Sequence, residues 1–511
     1  MFERDEMSQD RREHIGRRTL RGVAWAYGSY VGGRVLVLAS TAVLARLLDP
    51  DDFGVVALSL TFMALLEGIA DLGLGAALVI QEESLVDERA DTVFYSAVAL
   101  GAALSAIIAI GSPLASNFFY EPELKWIAAV LGCNFFLRSL GSTHYALSQR
   151  GLDFRTRTAA EFADVVIRGG TGVGLALAGF GAWSLVIGYL VGTVSLDVTL
   201  WLLVPWRPSW PPRLSGFRAM VGFGSIISAV GIVAAVIMNI DNVFVGRVLG
   251  AADLGVYALA FTLPSLLIIN FSTVAGYVLY PAFSAVRRED LPRAYLISLR
   301  YTLMVGLPLT LGLLLLARPF VLTVFGEKWS GAITPLQLLT LYAFATTVGF
   351  PAGTAYKATG RAAVLLTVGI ARLVLVVLGL ALFVRHGIWV AAATQGIAAA
   401  ASSVVGIVIA QRLLAVSLRD ILRAAWPALA AGAVMAVPMF LVEHAISEPE
   451  LALAVGAVGG AVLYVVALVV VAPDSLRYLR QRLSAKEPER PPPTQLSEAE
   501  LPVPPPAEIG S

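Results

Sequence analysis

Long apolar runs alternate with short polar breaks along almost the whole chain, and each run is about as long as a membrane span. A helix needs about 20 residues to cross roughly 30 Å of hydrocarbon. The pattern predicts helices near 22–46, 53–80, 93–115, 124–147, 159–179 and 183–204, and a second group near 222–246, 254–279, 295–317, 335–357, 362–384 and 389–411. A last pair is predicted near 424–445 and 451–472. Strands of about ten residues with strict apolar/polar alternation are missing, which disfavours a β-barrel and leaves helices, since hydrocarbon offers backbone groups no partner. The expected fold is an all-α polytopic membrane protein with about 14 transmembrane helices, arranged as two pseudo-symmetric six-helix lobes plus a C-terminal helix pair.

Composition strengthens this reading. Of 511 residues, 57% are hydrophobic and only 14% charged, against about a quarter charged in soluble domains. Lys+Arg 37 against Asp+Glu 36 leaves no basic domain to collect phosphates, so nucleic acid is not an expected partner. Cys133, the one cysteine, cannot form an internal disulfide and is expected as a small buried thiol. Arginine placement sets orientation, because Lys and Arg are retained on the cytoplasmic side. Arg11, Arg12, Arg17 and Arg18 precede the first span, and alternate loops carry Arg150, Arg155, Arg157; Arg207, Arg213; Arg287, Arg288; and Arg412, Arg419. The opposite loops hold only Arg46, Lys125, Arg247, Arg318, Lys328 and Arg385. Both termini are therefore expected in the cytoplasm. No cleavable signal is expected, since the first apolar run is of full span length.

The organisation reads as a basic cytoplasmic N-terminus (1–21), an N-lobe (22–204), an inter-lobe linker (205–221), a C-lobe (222–411) and a helix pair (424–472). A Pro-rich cytoplasmic tail (473–511) follows, with Pro491–Pro493 and Pro504–Pro506, and reads as disordered.

An internal repeat supports the two lobes. ARLLDPDDFGVVAL (Ala45–Leu58) aligns without gaps on GRVLGAADLGVYAL (Gly246–Leu259), matching Arg46/Arg247, Leu48/Leu249, Asp52/Asp253, Gly54/Gly255, Val55/Val256, Ala57/Ala258 and Leu58/Leu259. Both copies fall in the hairpin after the first span of their group, on the same expected face. That describes a parallel repeat about an axis along the membrane normal, an arrangement common in alternating-access transporters. Asp52 and Asp253 are expected as N-caps of the helix that follows. Gly170/Gly174 and Gly456/Gly460 have the spacing of close helix packing.

These segments, with ADLGLGAALV (Ala70–Val79), DNVFVGRVLGAADLGVYALA (Asp241–Ala260), VLYPAFSAV (Val278–Val286) and FGEKWSGAITPLQLL (Phe325–Leu339), resemble the polysaccharide transporter family of lipid-linked oligosaccharide flippases. That family includes the Wzx-type and colanic-acid-exporter-like members of the multidrug/oligosaccharidyl-lipid/polysaccharide superfamily. The resemblance implies a bacterial inner-membrane transporter that moves a polyprenyl-pyrophosphate-linked glycan from the cytoplasmic to the periplasmic leaflet. It also implies a central cationic cavity and contact with membrane lipid; a polymerase or export machinery is a candidate partner, and working alone is the alternative.

Charges inside the predicted spans supply candidate site residues, because a charge near the bilayer centre costs about 3 kcal/mol unless it faces a partner or a wet cavity. Arg34, Arg138, Arg168 and Arg372 can present bidentate forks to a pyrophosphate, or can pair with nearby acids as helix locks, Arg34 with Asp71 for example. Glu67, Asp71, Glu161 and Asp164 are candidates for ion coupling or helix-locking pairs. Asp197 and Arg300 are further charges within spans. Asp241 and Asn242 lie toward the periplasmic end of span 7 and suit a gate. None of Lys125, Lys328, Lys357 and Lys486 sits in a P-loop, and no histidine is followed by glutamate, so no enzyme, metal site or cofactor is expected. The rival readings are a multidrug/cation antiporter of the same fold, which would centre its cavity on acids, and a membrane enzyme or scaffold of glycan assembly.

Overall fold

The computed structural model describes residues 32–70, 78, 86–151, 153–210, 235–272, 279, 283–284, 286–361 and 363–473. These are helical almost throughout, with no strand among them. The N-terminal half contains α1 (32–47), α2 (Pro50–Ala70), α3 (Val86–Phe119), α4 (Leu124–Gly132), α5 (Asn134–Arg150), α6 (Phe154–Leu177) and α7 (Ala182–Leu203). The repeat-related half contains α8 (235–248), α9 (Ala251–Pro264), α10 (Leu291–Leu315), α11 (Ile333–Ala358), α12 (Ala363–Phe383) and α13 (Ile388–Leu414). The pair α14 (Leu418–Ala445) and α15 (Pro449–Val471) packs on α10. Among the described residues, nine helices are long and apolar enough to cross a membrane, and the molecule is a multi-pass membrane protein.

The fourth predicted span is two helices rather than one. The Ser105 hydroxyl of α3 donates to the Gly132 carbonyl (2.8 Å) and accepts from the Phe136 amide (3.2 Å). A side chain inserted into the helical ladder breaks it, and here the break falls at Cys133. Cys133 itself is exposed, not buried as expected.

Helix starts follow local chemistry. Pro50 opens α2, where its missing N–H costs nothing. Asp52, expected as the N-cap, instead occupies the third helical position and reaches back to accept from the Asp49 amide at 3.0 Å. In the second repeat copy the cap is Gly250, with φ 99°, and Asp253 lies in the first turn. At α6, Asp153 is a side-chain cap, accepting from the Thr156 amide (3.1 Å) and hydroxyl (2.7 Å). Those bonds hold its carboxyl below the usual range. The cap therefore contributes its full stability above the ordinary carboxylate pKa and loses it as pH falls through the depressed value. Asp153→Ala should cost about 1 kcal/mol, measured as faster hydrogen exchange over the first turn of α6 with exchange elsewhere unchanged.

The two halves meet through the repeat itself. A Cβ at Gly54 would lie 1.8 Å from the Ala251 carbonyl oxygen, and one at Gly255 would lie 1.9 Å from that of Pro50. Gly54 and Gly255 are repeat equivalents, as are Pro50 and Ala251, so α2 and α9 cross backbone against backbone about a local two-fold axis. Around this crossing, the Trp329 indole fills the core, donates to the Ala45 carbonyl (2.7 Å) and meets Phe53 edge-on.

Elsewhere the small-residue motifs divide. Gly456 and Gly460 sit tightly against Leu316 and Met439, as their spacing predicts. Gly170 and Gly174 have nothing within 4 Å, and α6 packs on α7 through Gly172 and Gly188 instead. The motif spacing marks a helix face but not which face is used. The segment after α7 is pinned to the N-terminal half: the Tyr95 hydroxyl donates to the Ser209 carbonyl (2.7 Å), and buried His144 stacks on Trp201 and lies 3.2 Å from the Trp206 carbonyl.

Candidate functional site

Four helices of the N-terminal half bring most of the described intramembrane charges together. Arg138 on α5 and Glu67 on α2 form an ion pair at 3.0 Å, and their side chains are 64% and 60% exposed. Charges inside spans face a partner or a wet cavity as a rule, and here Arg138 and Glu67 partner each other while most of both side chains stays open. Arg168 on α6 holds both oxygens of Asp164, at 2.8 and 2.9 Å, and lies 4.2 Å from the Tyr189 ring centroid on α7. Gly192 makes room for that pair, since a Cβ there would lie 2.4 Å from Asp164 Oδ1. Here the guanidinium is committed on one side to a carboxylate and on another to an aromatic face.

Between the two pairs lies Asp197 on α7, 7% exposed and within the electrostatic reach of Arg138 and Asp164. Its Oδ1 has no hydrogen-bond partner, and only a glycine at 141 leaves it space, because a Cβ there would lie 1.9 Å away. The sequence shows Asp197 as a span charge; its place between Arg138 and Asp164 depends on how α5, α6 and α7 pack. Glu161 takes a different partner from its helix neighbours Asp164 and Arg168. It accepts from the Tyr145 hydroxyl (3.0 Å), which in turn accepts from Arg157 (2.7 Å).

The remaining described candidates lie on α1 and in the second half. Arg34 is half-buried on α1, and Asp71, its suggested partner, lies outside the described residues. Arg372 on α12 lies 5.1 Å from the Tyr342 ring centroid, in the other half. Asp241 on α8 is 5% exposed; it accepts from the Tyr257 hydroxyl at 2.7 Å and lies beside buried Gln395. It thus faces the interior of its own half, whereas its neighbour Asn242 donates across the halves to the Thr61 hydroxyl at 3.2 Å. Tyr189, Tyr145, Tyr257 and Gln395 escaped sequence reasoning. Their signal, a polar edge on an otherwise apolar span, is too common to single out without knowing which helix lies opposite. Among the described residues no group of His, Cys, Asp and Glu is arranged to hold a metal ion.

Comparisons with known proteins agree with this architecture. Residues 43–334 match the model of a family described as polysaccharide biosynthesis protein. The chain is 30% identical over 328 residues to the succinoglycan biosynthesis transport protein ExoT of Rhizobium meliloti, covering 63% of this chain and 65% of that protein. It is 26% identical over 302 residues to the teichuronic acid biosynthesis protein TuaB of Bacillus subtilis, covering 58% and 62%. It is also 26% identical over 352 residues to the lipopolysaccharide biosynthesis protein WzxC of Escherichia coli, covering 67% and 70%. The matched region is thus less than two thirds of the length of TuaB and of ExoT. Among solved structures, the lipid II flippase MurJ in an inward closed conformation superposes with a TM-score of 0.72 at 14% identity, covering 89% of this chain and 100% of that one. An inward-facing multidrug resistance transporter of the MATE family gives 0.59 at 18% identity, covering 75% and 94%. At these identities the structures establish a shared transporter fold.

Proposed function

The chain belongs to the polysaccharide biosynthesis protein family, and from that premise we propose that it flips a polyprenyl-pyrophosphate-linked oligosaccharide from the cytoplasmic to the periplasmic leaflet of a bacterial inner membrane. The observation that carries the reading is Arg138, a guanidinium in a span, paired with Glu67 yet two-thirds exposed. A pyrophosphate can displace the carboxylate and take both N–H donors of the fork. Arg168 is more deeply committed to Asp164 and supports the local field; Arg34 and Arg372 would meet the glycan or the second phosphate. Lobes 22–204 and 222–411 would rock about this cavity while the polyprenyl chain stays in lipid. Both termini would lie in the cytoplasm, and a polymerase or export partner would take up the flipped glycan on the periplasmic side.

A protein path is needed because bare transfer of an ionised phosphate into hydrocarbon costs on the order of tens of kcal/mol. The membrane potential favours outward movement of an anion by about 2.3 kcal/mol per charge per 100 mV. Cells lacking the protein should accumulate an intact lipid-linked saccharide on the cytoplasmic face, detected by mass spectrometry together with a leaflet-selective probe. Normal pools with new sensitivity to cationic drugs would instead identify a multidrug/cation antiporter.

A further inference from the structure

The repeat preserves an arginine in each hairpin, and both arginines reach across to the opposite half. Arg46, at the end of α1, donates from Nε to the Val324 carbonyl at 3.1 Å and from Nη2 to the Thr323 carbonyl. Arg247, at the end of α8, donates to the Tyr120 hydroxyl at 3.0 Å, with its guanidinium 4.3 Å from the Tyr120 ring centroid and 5.1 Å from that of Phe118. Segment 118–120 ends α3, the third helix of its half. Segment 321–325 is a wide π-type turn a few residues beyond α10, the long helix at the corresponding place in the second half. Subtracting the repeat offset brings residues 323–324 to within a few residues of 118–121. The two arginine contacts are therefore related by the same pseudo-symmetry as the Gly54/Gly255 crossing.

Each contact has a second tether. The Lys328 ammonium donates to the Leu48 carbonyl at 2.6 Å and lies 3.4 Å from an Asp49 oxygen. On the other side, Glu121 Oε1 accepts from the Ala251 amide at 3.4 Å. These polar groups satisfy helix-end carbonyls and amides that have no partner of their own. Tyr120 has φ 60°, a left-handed conformation that costs a non-glycine residue and persists where its surroundings hold it.

We propose that Arg46 and Arg247 form a paired latch that holds this end of the molecule shut. Its design suits repeated opening. The buried core around Gly54 and Gly255, with Trp329 against Ala45 and Phe53, joins the halves, and the arginine contacts lie at its edge, where exposed Arg46 and Lys328 can exchange their partners with water. The latch serves the alternating access proposed above, but its test requires no cargo, so the two can fail separately.

The full-length chain, with Cys133→Ser and spin labels on Trp126→Cys and Phe383→Cys, can be reconstituted in liposomes for pulsed electron–electron distance measurements. Trp126 and Phe383 are exposed in opposite halves at the latched end. The parent should show one predominant short distance. Arg46→Ala with Arg247→Ala should raise a longer-distance population at least about tenfold, and each single variant should raise it less than half as much, because the remaining arginine still holds its half. Distributions that superimpose on the parent would overturn the latch. Should the double alanine variant not elute as folded protein, Asp49→Cys with Lys328→Cys provides the converse reading. Oxidation of this pair should remove any long-distance population and reduction restore it, and a long population that survives oxidation would overturn the latch equally.

Discussion

Gly54→Val should abolish glycan export while Gly111→Ala, a glycine substitution on a neighbouring span, leaves export unchanged. The first β-carbon at position 54 would lie 1.8 Å from the Ala251 carbonyl oxygen, which is a backbone atom that cannot rotate away. Valine adds two further methyl groups, so α2 and α9 must move apart. Overpacking of this kind costs about 3 kcal/mol at its upper range, enough to depopulate the closed crossing roughly 100-fold. Gly255→Val should behave alike, because the same collision recurs with the Pro50 carbonyl. At Gly111 nothing lies within 4 Å, and alanine in a helix interior is favoured over glycine by about 0.5–1 kcal/mol. Export is checked by complementation of a deletion strain, with the amount of membrane-inserted protein measured in parallel. Normal export by Gly54→Val would mean that the crossing is not a working contact.

Arg138→Ala should reduce export about 10- to 100-fold with almost no change in melting temperature. Loss of a charge-assisted contact to cargo is worth about 1.5–3 kcal/mol, which is that range in rate if the contact is made on the transport path. The lost pair with Glu67 is mostly exposed, and such pairs contribute about 0–1 kcal/mol to stability. Arg168→Ala should show the opposite balance. It strands Asp164, whose side chain is only 16% exposed, and removes the packing on Tyr189, so the melting temperature should fall with the loss of about 1–3 kcal/mol. Thermal unfolding in detergent and export in cells, measured on both variants, separate a cargo contact from a helix lock. A lowered melting temperature with normal export for Arg138→Ala would reclassify it as a lock.

The two cases show why these arginines could not be sorted in advance. Arg138 and Arg168 are each the single arginine of their predicted spans, and although only Arg168 has acids one and two turns away on its own helix, both find a carboxylate partner in the fold. Exposure, partner geometry and the aromatic face of Tyr189 tell them apart, and all three depend on neighbouring helices. The same applies to the glycines: Gly170/Gly174 and Gly456/Gly460 share one spacing, yet only the second pair packs against a helix.

By itself the sequence determined that the chain crosses a membrane as helices, that it carries a two-fold internal repeat, and which family it resembles. The first follows from composition and periodicity, which depend on the bilayer and on neighbours close along the chain; the repeat and the resemblance rest on short runs of matching residues. Tertiary structure alone decided that the two repeat copies meet backbone to backbone, that Ser105 breaks the fourth span, and that Asp197 lies between two ion pairs. It also decided that Arg46 and Arg247 reach across to the opposite half. Those contacts join residues scores or hundreds of positions apart, and the hydrophobic pattern specifies which side of a helix is buried without specifying what it is buried against.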